Sequence, residues 1–200
     1  MNLAKLPTMK FLLLFLVAFP VALSAEESPS VLESLEKSLG LKAPVPGGFV
    51  VRGKVERTGI RMVDGQERKY SLKVFKDSQA TLPIFFASGS VKHEATKEKA
   101  NRSAVQALAQ VMADYPAAKF VLEGHTCDLG SKERNSALSW QRAEAIKSRL
   151  IALGVEPQRL LVLGFGESEG PVNFGGEAAS DENEEARKNF RRVVVRQWAP

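Results

Sequence analysis

Apolar residues recur along this chain in two rhythms, and the changes between them mark out the elements. Residues 29 to 42 repeat at helical spacing, with Val31, Leu32, Leu35, Leu39 and Leu41 set among Glu and Lys. Pro44, Pro46, Gly47 and Gly48 then break the pattern. Two β-rich runs follow, Phe49 to Val55 and Tyr70 to Phe75, with turn signals at Thr58 and Gly59 and again at Asp64 and Gly65. From Thr81 onward strand and helix patterns alternate. Leu82 to Phe86 predicts a buried strand, and residues 94 to 113 predict a helix with Ala100, Ala104, Leu108, Val111 and Met112 on one face, ended by Tyr115 and Pro116. A second strand begins over Phe120 to Leu122, a second helix spans 136 to 153 with Gly154 as its stop, and a third strand runs from Arg159 to Phe165. After a loop rich in Gly, Asn and Asp, the acidic run Asp181 to Glu185 opens a short helix, and Arg191 to Trp198 alternates as a last strand. This order predicts an α/β fold of the two-layer α+β sandwich kind, βαβαβ in type, with helices packed on one mixed sheet behind a small β-rich appendage. The appendage holds too few large apolar groups for a core of its own, so it is expected to dock on the domain behind it or on a partner.

One position breaks the apolar rhythm. Leu138, Arg142, Ile146 and Leu150 step by four and share a helix face, which places a guanidinium in an apolar row. Desolvating it without an anion is costly, so the row asks for a carboxylate from the protein or from a ligand. The alternative is a side chain that snorkels outward over its aliphatic stem.

The N-terminus carries a different pattern. Lys5 and Lys10 precede an apolar run from Phe11 to Leu23 interrupted by Pro20, and the small residues Ala22, Ser24 and Ala25 come before Glu26 and Glu27. This reads as a signal peptide over residues 1–25, too short and too broken for a membrane span. The formal net charge of +5 loses two lysines with that leader. So mild and dispersed a surplus does not point to nucleic acid, and it is compatible with an acidic cell-wall polymer. Cys127 is the single cysteine, which excludes an intrachain disulfide.

Three short constellations carry possible chemistry. Gly166, Glu167, Ser168, Glu169 and Gly170 spell GxSxG after a strand, but Pro171, Gly175 and Gly176 follow in place of a helix, and both histidines, His93 and His125, lie upstream of the serine. A glycine-rich loop is the better reading. The neighbouring GFG is too short for a dinucleotide fingerprint. His125 and Cys127 stand two apart, yet a zinc site needs three or four ligands, and nothing supplies a third group to orient a nucleophile. No metal or other cofactor is expected.

A broader likeness covers residues 81 to 198. Gly124, His125 and Thr126, then Gly130, Asn135, Leu138, Ser139, Arg142 and Ala143 fall at the spacing of the OmpA-like C-terminal domain, a peptidoglycan-binding module. Gly164, Gly166, Glu167 and Pro171, and then Arg191, Arg192 and Val193, resemble that family's second half in order, and Leu82 to Phe86 with Gly89 and Ser90 resembles its first strand. The resemblance implies an exported, non-enzymatic envelope protein with an OmpA-like domain at 78–200 and an appendage at 26–77. It also implies a site. In the family an aspartate after Gly, His, Thr holds the ammonium of diaminopimelate, while the helix arginine holds its carboxylate; Arg142 matches the latter, Arg191 the first of the paired arginines, and Asn135 the family asparagine. As an alternative, Asn135 is only the N-cap of the second helix. The chain departs from the family at Cys127, which occupies the aspartate position, with Asp128 one residue later, and at Phe190, where an asparagine is usual. No cysteine near residue 25 offers a thiol for the lipid anchor common among such proteins. Peptidoglycan is thus the expected partner in the periplasm, possible contacts with outer-membrane or other envelope proteins come second, and no membrane span is expected in the mature chain. The rival readings are an envelope assembly module that keeps the fold without wall binding, and a hydrolase at Ser168 or Cys127.

Overall fold

The computed structural model describes residues 29–41, 53–82, 84, 86–92, 97–169 and 187–198. The leader, the Pro and Gly-rich stretch after residue 41, His93 and the acidic run at 181–185 lie outside them. The described elements are α1 (Pro29–Ser38), β1 (Lys54–Val63), β2 (Gln66–Phe75), β3 (Ala80–Leu82), α2 (Glu98–Asp114), β4 (Phe120–Gly124), α3 (Lys132–Ala152), β5 (Leu160–Gly164) and β6 (Val193–Gln197). They form one six-stranded sheet in the order β2-β1-β5-β4-β6-β3. Only β4 and β5 run parallel, joined through α3, and the other pairings are antiparallel.

Strand alternation divides the sheet into two faces. Phe120 and Leu122 of β4, Leu160 and Val162 of β5, and Val193 and Val195 of β6 meet Leu108, Met112, Ile146 and Leu150 from α2 and α3. Leu39 and Leu41, just past α1, join the same core. The intervening residues Val121 and Leu163 point to the second face, where Leu72 and Val74 of β2 cover them. A bridge between Val74 and Trp198 ties β2 back to the end of β6, while β1 pairs with β5 at Ile60 and Gly164. The hairpin therefore extends the sheet beyond β5, and the end of β2 curls back over its second face.

Three local expectations are corrected. Thr58 and Gly59 make no turn: both lie within β1, paired with Ser71 and Tyr70, and the hairpin turns at Asp64 and Gly65. Gly59 is there because a Cβ would come within 3.0 Å of the Gly164 carbonyl and the Leu163 side chain. Buried strand character over Leu82 to Phe86 gives way to a three-residue β3 with a bridge at Phe86. The helix expected from 136 begins at Lys132, capped by Ser131, whose hydroxyl accepts from Arg134 N. Asn135 is thus inside α3 and is not its N-cap. At the other end Gly154 takes φ +95°, as its C-terminal position requires.

Candidate functional site

The loop from His125 to Gly130, the first turns of α3, the loop at 87–92 and Arg191 enclose a cleft of about 260 Å³. Two close approaches build it. A Cβ on Gly124 would collide with the Ser139 carbonyl, and one on Gly164 would sit 2.7 Å from Ser139 Oγ and 2.9 Å from Trp140 N. Glycine at both strand ends lets α3 lie directly against the sheet, and Ser139 Oγ then accepts from Gly166 N at 2.9 Å. The N-terminal half of α3 is thereby fixed over the ends of β4 and β5.

Arg142 is fully buried. It neither snorkels nor meets a carboxylate among the described residues. Its Nε donates to Ser90 O at 3.0 Å, Nη1 to His125 O at 3.3 Å and Nη2 to Ala87 O at 3.1 Å, and the guanidinium lies 4.9 Å from the centre of the Phe86 ring. Backbone carbonyls answer the geometry of the fork but supply no formal negative charge. Burial accordingly lowers its pKa to about 10; nearby Cys127 works against the shift and Arg191 adds to it. A guanidinium has five N–H groups, so one so held at the wall of a cleft keeps donors with which an anion can pair.

The other sequence-predicted residues divide around this cleft. Cys127, Asn135 and Arg191 line it, all buried. Asn135 Nδ2 donates to Cys127 O at 3.2 Å and to Glu167 Oε2 at 2.7 Å, which fixes the loop and the side chain together. Asp128 is not in the lining, and it accepts from Arg187 Nε at 2.9 Å. Arg134 was not singled out from sequence, yet it stands at the rim with Nη2 3.3 Å from Gly89 O. Its position in the first turn of α3 would have been visible had Ser131 been recognised as the cap.

A second polar cluster lies under the hairpin, and sequence reasoning missed most of it. Glu123 is fully buried on the second face of β4. Arg57 grips it through Nε to Oε1 at 2.9 Å and Nη2 to Oε2 at 2.8 Å, and Arg196 Nε adds 3.0 Å to Oε2. Arg57 also reaches Glu169 at 2.6 Å and lies 4.5 Å from the centre of the Phe165 ring. Burial opposes its charge, but hydrogen bonds to Glu123 and Glu169 outweigh that and hold its pKa above the ordinary value. Glu169 is pushed up by burial and pulled down further by Arg57, so it stays ionised below the usual range.

His125 belongs to this cluster. It stacks on Phe165 at 5.3 Å, and its Nδ1 lies 3.8 Å from Glu169 Oε2. Burial, followed by the charge of Arg192, lowers its pKa to about 3, so at neutral pH the contact with Glu169 is not an ion pair. Cys127 faces the cleft instead, and among the described residues no group of three His, Cys, Asp or Glu is placed to hold a metal. Ser168 Oγ donates to Phe165 O at 2.6 Å within its own turn, which occupies the hydroxyl of the GxSxG run.

A model of the OmpA family matches residues 85–187. Outer membrane porin F of Pseudomonas fluorescens is 42% identical over 64 residues, 32% of this chain and 20% of that protein. The peptidoglycan-associated lipoprotein of Legionella pneumophila is 37% identical over 76 residues, 38% of this chain and 43% of its own length. The chain thus spans less than half the length of these curated relatives. The crystal structure of the peptidoglycan-associated lipoprotein from Burkholderia pseudomallei aligns with 58% of this chain and 88% of that one, at 25% identity and a TM-score of 0.46.

Proposed function

The chain belongs to the OmpA family, and from that premise we propose that it is a non-enzymatic, peptidoglycan-associated protein of a Gram-negative-type envelope. In this reading residues 1–25 are a leader, residues 78–200 form the OmpA-like domain, and the cleft binds a carboxylate of the peptidoglycan stem peptide, of the diaminopimelate type, without covalent chemistry. The observation that carries the reading is the pair of buried guanidiniums, Arg142 and Arg191, lining one cleft. Arg142 is prealigned by three carbonyls, so a carboxylate meets a fork whose ordering is already complete. Arg191 supplies the second positive charge, and Asn135 fixes the wall on which Cys127 sits. Asp128, engaged by Arg187, would have to leave that partner to contact ligand. Relatives named as porins and peptidoglycan-associated lipoproteins support an envelope location.

Sedimentation of the purified chain with isolated sacculi tests the reading. Binding is expected for the native chain and is expected to fall roughly tenfold or more for Arg191→Ala, the loss of one charge-assisted contact. Cys127 favours a second reading, an envelope assembly module without wall affinity. A folded chain that never sediments with sacculi would select it.

A further inference from the structure

The hairpin presents three arginines on one face, and the domain answers one of them. Strand alternation puts Arg57 and Arg61 of β1 on the same side as Arg68 and Tyr70 of β2, and the register sets Arg61 directly opposite Arg68. Arg57 meets Glu123 and Glu169. Farther along, past the pairing of Ile60 with Gly164, the tip of the hairpin is open to solvent: Arg61 and every residue from 64 to 71 are exposed. Neither strand has an Asp or Glu on this face, because Glu56 and Glu67 alternate to the other side. Among the described residues Arg61 and Arg68 therefore meet no carboxylate.

Like charges directly opposite in an antiparallel pair destabilise it, and the two Cβ atoms stand only about 4.5–5.5 Å apart. An anion bound between the guanidiniums removes that cost. Arg61 already rests over the Tyr70 ring, 5.6 Å from its centre, and Tyr70 stands opposite Gly59, which has no side chain to crowd it. A carboxylate has two oxygens and satisfies one fork, whereas a terminal phosphate group offers three acceptor oxygens and about two negative charges, enough for both forks. We propose that Arg61, Arg68 and Tyr70 form an anion site for a phosphate group, separate from the cleft, in which the two guanidiniums bind its oxygens and the Tyr70 hydroxyl donates to one of them. The site lies outside the wall-binding reading and does not depend on it.

The full chain is titrated with inorganic phosphate, and with acetate as the carboxylate control, at constant ionic strength, while the backbone amide resonances of Arg61, Arg68 and Tyr70 are followed by NMR. Saturable shifts are expected with phosphate, with affinity roughly tenfold lower in Arg61→Gln or Arg68→Gln, the worth of one charge-assisted contact. Arg68→Lys, which keeps the charge without the fork, should also bind more weakly than the native chain. Without phosphate, Arg68→Gln should unfold at an equal or higher denaturant concentration than the native chain, since the facing charge is gone. Vesicles of phosphatidylcholine with and without phosphatidate identify the source. Retention by the mixed vesicles that Arg68→Gln abolishes assigns a lipid headgroup, and phosphate binding without retention assigns a soluble phosphate. Phosphate affinity unchanged in both glutamine variants, acetate binding as tightly as phosphate, or an Arg68→Gln chain less stable than the native one overturns the site.

Discussion

Arg142 has two duties at the level of the single residue, and they make opposite demands on an experiment. Its guanidinium ties the 87–92 loop and the backbone of His125 to α3, so truncation would take a charged donor from three carbonyls, of which Ala87 O keeps Ser90 N, and leave a void beside Phe86. Arg142→Ala is therefore expected to cost about 1.5–3 kcal/mol of stability or more, the worth of hydrogen bonds from a charged donor. Ligand affinity has to be measured per folded molecule. Arg142→Lys keeps the charge and loses the fork, so it should lose less stability yet still bind a carboxylate weakly; native-like affinity in the lysine variant would show that a point charge suffices. His125 gives a cleaner signature, because it is buried and neutral. Its pKa is lowered to about 3, against an ordinary value of 6.5. Below the ordinary value the unfolded chain takes up a proton that the folded chain refuses, so stability falls by up to about 1.4 kcal/mol per pH unit from pH 6.5 downward. Glu169, with its pKa lowered, adds its own loss only further into acid. Denaturant midpoints between pH 7 and 5 should slope downward for the native chain and be flatter for His125→Leu; equal slopes would assign the acid sensitivity elsewhere.

Among the elements, α3 decides the geometry of the cleft, and its two ends were unequally legible in sequence. The C-terminal half, with Ile146 and Leu150 in step and Gly154 beyond, announces itself through periodicity. The first turn, Lys132 to Asn135, carries no apolar residue, because it lies over the cleft and loop and not over the core; a pattern search therefore starts the helix late. Ser131 was the available signal. Its replacement by alanine is expected to cost about 1 kcal/mol, a typical N-cap loss. Gly124→Ala should cost more. The added methyl would overlap the Ser139 carbonyl, and backbone cannot yield as a side-chain tip can, so a loss of about 1–3 kcal/mol or more is expected, with α3 displaced and sacculus binding reduced. A Gly124→Ala chain as stable as the native one would mean that α3 is free to slide outward. The core strands β4, β5 and β6 were equally readable, since each opens on a continuous run of apolar residues, the mark of a strand covered on both faces. The hairpin was readable in its turn at Asp64 and Gly65 and in the strand to Phe75, but not in β1, whose inner row places Arg57 and Gly59 where alternation would require apolar residues, because that row meets a buried carboxylate and a strand edge. Pairings such as Arg57 with Glu123, 66 residues apart, leave no local trace.

For the molecule as a whole, the question is what holds the hairpin to the sheet. Full burial of Leu72 and Val74 contributes roughly 1.5–3 kcal/mol each. Ordering the backbone of two ten-residue strands costs roughly 1–2 kcal/mol per residue, so apolar contact alone does not explain the docking. The ladder between the strands offsets part of this cost, and the Arg57 fork on Glu123 joins the hairpin to the domain. That fork also solves a problem for the sheet: Glu123 is fully buried, and with Arg57 absent it would keep only Arg196. Arg57→Ala is accordingly expected to destabilise the chain by about 3–5 kcal/mol and to open the hairpin, because Val121 and Leu163 lose their cover as the strands lift. The double change Arg57→Met with Glu123→Leu should cost less than the sum of the single changes, because the two side chains share one contact, although it takes from Arg196 the carboxylate its Nε holds. Hydrogen exchange across residues 54–75 reads the same event locally. Single and double variants that add in the thermodynamic cycle, with unchanged exchange in the hairpin, would show that its docking does not depend on the buried pair.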